Sequence, residues 1–378
     1  MRVFSFIFLL ISLQLTVATA QNIENRVPNT AVPFLTLNSN ARISAFGEVS
    51  TVSSDFYGDA GLFQNGALLE KGKGAFGINA SYRPWLSRIV NDMYIGDFGM
   101  YYSWKNKHSV SYTYRHFDLG NILFTDDTGN PIKFLEPKEI FHKANYTYHT
   151  QNGLSLNTSI KYIRSKIPNN TSLSGSENEE HTITTAFAFD LGLSYRKNLK
   201  WIEEWNTPIN FGATLNNIGS KVDYRFGIEN NLPTYLSLGV LAEPRKKIGK
   251  SLELNLALAY QVDKSLVPLD PTLDLNAIES ISESLRDTNF STELKDVIHK
   301  IGAETRLEYL DQGFIALRLG YHHQHEEIGD TKYLTTGFGL GFKGFSIDYS
   351  KLYPTPRNHP FEDTWAISVS YRSNLFKN

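Results

Sequence analysis

His322, His323, His325, Glu326 and Glu327 stand within six positions of one another, and imidazoles and carboxylates so close could hold a divalent cation at a flexible loop. A polar loop tip at the end of a strand accounts for the same residues, and His181 and His359 fall in other expected loops, so no metal site is assigned. The chain has no cysteine, which removes disulfides, thiolate metal sites, iron–sulfur clusters and a lipidated mature N-terminus together. No Gly-x-Ser-x-Gly, His-Glu-x-x-His or phosphate-binding loop is present. Gly337, Gly339 and Gly341 superficially match a dinucleotide fingerprint, but they lie within one alternating stretch that no helix follows. Asp190, Glu253, Glu304 and Asp348 could pair for acid–base work, although a solvated interior explains them more simply. These residues therefore assign no catalytic residue, no metal and no cofactor, and the expectation is a protein that is not an enzyme.

The elements that carry these residues are set by a period of two. From about residue 74 onward, segments of roughly ten residues alternate apolar and polar side chains between turns, the pattern of a transmembrane barrel. Phe76, Ile78, Ala80 and Tyr82 alternate with Gly77, Asn79, Ser81 and Arg83; Leu252, Leu254, Leu256, Leu258, Tyr260 and Val262 alternate with Glu253, Asn255, Ala257, Ala259 and Gln261. Counting such segments through to Trp365, Ile367, Val369 and Tyr371 gives fourteen. Joins after even segments are mostly tight, such as Lys105 to Lys107 and Lys343 to Gly344. Joins after odd ones are longer, such as Leu119 to Ile140 and Asp263 to His299, as short periplasmic turns and long external loops require. The opposite face holds Asp190, Glu253, Glu304, Arg306, Arg318 and Asp348, which suit a wet lumen and would be costly in the core of a soluble sandwich. The predicted fold is all-β: a 14-stranded antiparallel transmembrane β-barrel with an N-terminal plug-like segment.

Charge and the N-terminus narrow the reading further. Lys and Arg number 37 against 39 Asp and Glu, a formal charge of −2 that offers no electrostatic grip on nucleic acid. Residues 1–20 read as an export signal, with Arg2 ahead of an apolar run and Ala18-Thr19-Ala20 as the cleavage site. No later stretch approaches the length of a spanning helix. The expected division is a signal peptide at 1–20, a tail and plug-like segment at 21–73, and the barrel at 74–378. Within the second part, Asn22 to Val32 reads as an extended periplasmic tail, and Phe34 to Leu69 as an irregular Gly/Ser-rich segment folded into a lumen too wide for wall side chains to fill. Both termini are expected in the periplasm and the chain in the outer membrane. The longest external loop carries two stretches, Ala277 to Leu285 and Thr292 to Ile298, that could form short amphipathic helices, and Trp85, Leu86, Ile89 and Val90 make the first external loop unusually apolar.

Several stretches are similar to one known family. Phe34-Leu35-Thr36-Leu37 with Ala41-Arg42 and Gly47, Tyr82-Arg83-Pro84-Trp85-Leu86 with Val90-Asn91-Asp92, Phe117-Asp118-Leu119-Gly120 with Phe124-Thr125-Asp126, Leu215-Asn216-Asn217-Ile218-Gly219-Ser220-Lys221, Leu232-Pro233-Thr234, Asp263-Lys264-Ser265-Leu266-Val267-Pro268, Arg318-Leu319-Gly320-Tyr321 and Tyr349-Ser350 follow in order. In them the chain resembles the PorV family of type IX secretion system outer-membrane proteins of Bacteroidota, within the long-chain fatty acid transporter superfamily of barrels. The resemblance implies a non-enzymatic barrel that binds the C-terminal signal domain of cargo leaving the translocon pore protein and carries it to a cell-surface attachment complex containing a sortase-like protease. The external face would do the binding, which makes Trp85, Leu86, Ile89, Val90, Leu266, Val267, Pro268, Tyr353 and Pro354, with the loop continuing to Pro360, the candidate partner contacts. The superfamily suggests an alternative, an outer-membrane transporter of hydrophobic small molecules such as fatty acids, which calls for an apolar pocket. One departure stands out: Asn65-Gly66-Ala67 occupies the place of the family's usual Asn-Pro-Ala, and Asp59-Ala60-Gly61 replaces an aromatic-rich run, so the backbone there lacks the restraint of a proline.

Overall fold

The structure, a computed structural model, describes residues 26–53, 59–125, 128–168, 181–199, 205–224, 229–270, 272–287, 289–309, 312–355 and 359–374. The expected export signal, most of the join from Lys166 to Ile183, and residues 356–358 of the last loop lie outside them. Strands dominate: β1 (Ala75–Pro84), β2 (Tyr94–Trp104), β3 (His108–Asp118), β4 (Lys138–His149), β5 (Leu154–Pro168), β6 (His181–Leu199) and β7 (Thr207–Gly219) come first. After them come β8 (Tyr235–Ala242), β9 (Leu252–Ser265), β10 (Val297–Tyr309), β11 (Gly313–His323), β12 (Lys332–Phe342), β13 (Phe345–Pro354) and β14 (Trp365–Asn374). Arg245–Ile248 continues β8 in unchanged register against β9, since Ala242 faces Leu258 and Arg245 faces Asn255.

Each strand pairs antiparallel with its sequence neighbour, and β1 pairs with β14 through Ile78 opposite Tyr371, so the fourteen strands close into a barrel with no free edge. Closure is what lets strands cross a bilayer, because every backbone group finds a partner on an adjacent strand. The alternation read from the sequence sets the two faces. Phe98, Met100 and Tyr102 of β2 are exposed on the outer wall, whereas Asp97, Tyr101 and Ser103 are buried inside. The ladder is interrupted between β6 and β7, where Phe189 pairs with Ile218 but Leu191 pairs with Leu215. The resulting bulge carries Asp190 and Asn217, the latter with a φ of 65°.

The two ends differ as expected. At one end, Lys105 and Asn106, each at a φ of 54°, make the β2–β3 turn, and Lys343 and Gly344, at 48° and 87°, make the β12–β13 turn. The other end holds the long joins. One contains the hairpin Ile122–Thr125 with Pro131–Leu135, and another holds α3 (Ala277–Glu283) and α4 (Phe290–Lys295), numbered after two short helices, α1 (Ala41–Ala45) and α2 (Asp59–Phe63), in the N-terminal segment. The second amphipathic stretch is shorter than the sequence suggests, because Val297 and Ile298 already belong to β10 and pair with Lys264 and Asp263.

The N-terminal segment lies inside the wall. Residues 31–32, 34–35, 38–53 and 65–67 are buried, and α1 packs against β12, β13 and β14. One expectation needs correction. Residues 26–32 sit at the long-loop end rather than forming a periplasmic tail, because Arg26 donates its backbone N–H to Glu327 O at 2.7 Å and Ala31 donates to Asn231 O at 2.9 Å.

Candidate functional site

The lumen is the site from which any function must be argued, since its contents decide whether anything can pass. The wall turns polar side chains inward, and the N-terminal segment supplies partners for them. Arg115 of β3 grips Asp97 of β2 through two bonds of 2.7 Å, and its third nitrogen donates to Phe34 O at 3.1 Å and Leu37 O at 2.5 Å. Ser39 completes the group by donating to Asp97 Oδ2 at 2.5 Å. Arg83 of β1 binds Glu48 at 3.0 Å and Asn38 O at 2.5 Å. Across the barrel, Arg318 bridges Glu304 at 2.5 Å and Asp348 at 2.7 Å, with Arg42 of α1 3.8 Å from the same Glu304 oxygen. At the β6 bulge, Asp190 takes Lys161 at 2.9 Å and Lys143 at 3.0 Å. Charges this deeply buried are tolerable only because each is paired and hydrogen-bonded.

Uncharged groups hold the backbone of the segment. Gln261 Oε1 accepts from Ser50 N at 2.8 Å and Thr51 N at 2.9 Å, Thr335 donates to Ala45 O at 3.0 Å, and Ser368 Oγ accepts from Ala41 N at 2.8 Å. Asn65, in the departure from the family pattern, caps the turn Gly66–Leu68. Its Oδ1 accepts from Ala67 N at 3.1 Å and its Nδ2 donates to Thr51 O at 2.8 Å, so side-chain bonds supply the restraint a proline would have given. The wall yields where the segment comes closest. A Cβ on Gly320 would stand 2.0 Å from Gly47 N, and one on Gly337 would stand 2.4 Å from Ala45 Cβ. The Gly337, Gly339, Gly341 run is thereby explained by clearance, for α1, for the Arg318–Asp348 pair and for the Phe314 ring in turn.

Toward the outer end the lumen becomes apolar. Phe34 stacks on Phe117 at 6.3 Å, and Trp85 meets Phe117 edge-on at 6.4 Å and Phe361 at 4.9 Å. Against Trp85 and Phe361 lies a cavity of about 240 Å³ whose lining also includes Glu48, Arg83, Asp263, Lys300, His322 and Tyr333. Above it, Arg26 joins Asp296 and Glu327 through contacts of 2.6 and 2.5 Å, and Lys295 donates to Glu327 at 2.8 Å. That hydrogen bond, with Arg26 beside it, holds the Glu327 carboxyl below the usual carboxylate range.

The structure separates the candidates that the sequence groups together. In the first external loop, Trp85 is buried and Leu86 packs on the same core, whereas Ile89 is 64% exposed and Val90 is half-buried. Leu266, Val267 and Pro268 are buried, Tyr353 is exposed on β13, and Pro354 is half-buried. Further exposed apolar side chains stand on the longest loop, namely Ile278 at 75%, Leu285 and Leu294. The histidine cluster is split by strand alternation: His322 points inward and stacks on Tyr333 at 4.6 Å, His323 points outward beside Tyr321, and His325 Nδ1 accepts from Glu327 N. Among the described residues no set of three or more His, Asp or Glu side chains is gathered to hold a metal. Sequence reading missed the Arg26–Asp296–Glu327 anchor, for which the sequence carries no signal, and Gln261, whose inward parity was legible.

Among solved structures, the chain resembles the Ralstonia pickettii toluene transporter TbuX at 9% identity, over 89% of this chain and 98% of that one, with a TM-score of 0.42. It resembles the Pseudomonas putida toluene transporter TodX at 10% identity over 94% and 100%, with a TM-score of 0.39, and a Pseudomonas aeruginosa FadL homologue at 9% over 89% and 98%, with a TM-score of 0.38. No curated protein matches the sequence. A family profile described as type IX secretion system protein PorV matches residues 20–268. That match spans more than half of an outer-membrane barrel with fourteen strands and an inward-folded N-terminal segment, and the chain accordingly belongs to the PorV family of the type IX secretion system.

Proposed function

We propose that this barrel binds the C-terminal signal domain of secreted cargo at its outer face, receives it from the translocon pore protein, and delivers it to a surface attachment complex that contains a sortase-like protease. The filled lumen is the observation that carries this reading. Side chains from strands around the wall bind the N-terminal segment inside the lumen, which favours recognition at the outside. There, Ile89, Tyr353, Ile278, Leu285 and Leu294 offer apolar surface to a partner. Trp85, Leu266, Val267 and Pro268 act beneath them, setting the shape of the loops rather than touching the partner.

The cavity argues against transport of hydrophobic molecules. Its lining carries the Arg83–Glu48 and Lys300–Asp263 ion pairs, at 3.0 and 2.5 Å, together with buried His322, and a hydrocarbon would leave these groups without solvent. The proposal is tested by mixing detergent-solubilised barrel with an isolated cargo signal domain and measuring complex formation. Ile278→Asp with Leu285→Asp is expected to weaken binding by about tenfold or more, as loss of interface anchors does. Unchanged binding in that variant and in an Ile89→Asp, Tyr353→Asp variant would place recognition elsewhere.

A further inference from the structure

On the lipid-facing side of β3 to β5, the outer end of the wall carries a basic row. Register sets Asp118 opposite Lys138 and Lys138 opposite Lys166, and one outward pair deeper it sets His116 opposite Ile140 and Ile140 opposite Arg164. Parity fixes their direction. Tyr112, Tyr146, Ile160 and Tyr162, which share it, are exposed on the outer wall, while Arg115, Lys143 and Lys161 between them are buried inside. The next row down is aromatic, with Tyr114, His142, Tyr162 and Phe187 side by side, as at the interface between hydrocarbon and headgroups.

Two ammonium groups directly opposite each other across a strand pair repel, and Arg164 adds a third cation on the same face. Among the described residues Lys138, Arg164 and Lys166 make no ion pair and no side-chain hydrogen bond. Their nearest acid by register, Asp118, is engaged by Gly120 N at 3.0 Å and lies 3.6 Å from His116. Elsewhere on the outer rim of the wall the pattern is different. Lys332 meets Asp330 at 2.6 Å, Lys351 meets Asp363 at 3.5 Å, and Lys264 meets Glu293.

We propose that Lys138, Arg164 and Lys166 form a binding site for the phosphate groups of an anionic lipid headgroup in the outer leaflet. The site lies at headgroup height above an aromatic belt, its cations lack protein partners, and Arg164 has the planar fork that binds phosphate bidentately while the lysines act as point charges. Acyl chains would lie along the Tyr162 and Phe187 wall below.

The test uses the full mature chain in neutral detergent, with synthetic diphosphoryl lipid A as the probe and lipid retention read by native mass spectrometry. Wild type is expected to retain the lipid, and Lys138→Gln, Arg164→Gln, Lys166→Gln to lose retention by at least about tenfold, in keeping with three removed headgroup contacts. The heat-dependent gel mobility of the variant checks that the barrel has formed. A second measurement needs no variant, since retention by wild type is expected to fall as salt rises. Equal retention by the triple variant, retention insensitive to salt, or equal retention of a phosphate-free analogue would each overturn the proposal. Displacement by millimolar inorganic phosphate alone would assign the site to free phosphate and overturn it as a lipid site.

Discussion

Asp97 and Arg115 meet where neither side chain touches water, and their pairing shows what a single residue contributes here. Asp97→Ala leaves a buried guanidinium with carbonyl oxygens alone and is expected to cost about 3–5 kcal/mol, read as a lower temperature of heat-induced mobility change on gels. Asp97→Leu with Arg115→Met should recover part of that loss, since the uncompensated charge goes with it. Glu327 makes a prediction about pH. Its carboxyl is held below the usual range by Lys295 and Arg26, so the contribution of this anchor is complete above the ordinary carboxylate pKa of about 4 and is lost as pH falls through the lowered folded value. Proteolysis near Arg26 should therefore be slow at pH 7 and accelerate only below about pH 4, and Glu327→Gln should be cleaved quickly at both. The inward parity of Asp97 and Arg115 was legible in the alternation of β2 and β3. That they would hold Ser39, Phe34 and Leu37 was not, because those contacts join residues some 60 to 80 positions apart.

Strands and turns carry their own consequences. In the β2–β3 turn both central residues have positive φ, which suits Asn and Gly and strains Lys. Lys105→Asn is expected to stabilise the barrel by a few tenths of a kcal/mol, up to about 1, seen as a modest upward shift in unfolding temperature. All fourteen strands were legible because a half-buried strand writes its two environments into consecutive residues. The same rule, applied to His322 and His323, already sets them on opposite faces and dismantles the metal cluster. The β6–β7 bulge left no comparable mark. A bulge is a mismatch between two strands, and neither strand alone records it. The outer helices were legible in type but not in extent, since Val297 and Ile298 are apolar in either role and the β9 ladder decided between them.

For the molecule as a whole, the wall and its contents make separable demands. Removing residues 26–69 is expected to leave a closed barrel with an empty lumen, and planar-bilayer recordings should then show steady ion conductance where the intact chain shows none. Gly320→Ala should act in the same direction more weakly, because its Cβ would stand 2.0 Å from Gly47 N and the segment must shift to admit it. An intact chain that conducts freely, or a truncated one that stays closed, would contradict the reading of the lumen as filled by this segment.

By itself the sequence determined the barrel: its strand number, the face each wall residue takes, which end bears long loops, and that an irregular N-terminal stretch needed somewhere to go. Each of these follows from local alternation and spacing, which survive translation into structure because lipid and lumen impose opposite preferences on adjacent residues. Only the tertiary structure decided that Trp85 and Leu266 to Pro268 turn inward while Ile89 and Ile278 remain outside, that residues 26–32 rise to the outer rim, and that Asn65 does a proline's work. An apolar loop residue reads the same in sequence whether it caps its own core or awaits a partner. The difference lies in whether Phe34, Phe117 and Phe361, distant along the chain, arrive beneath it.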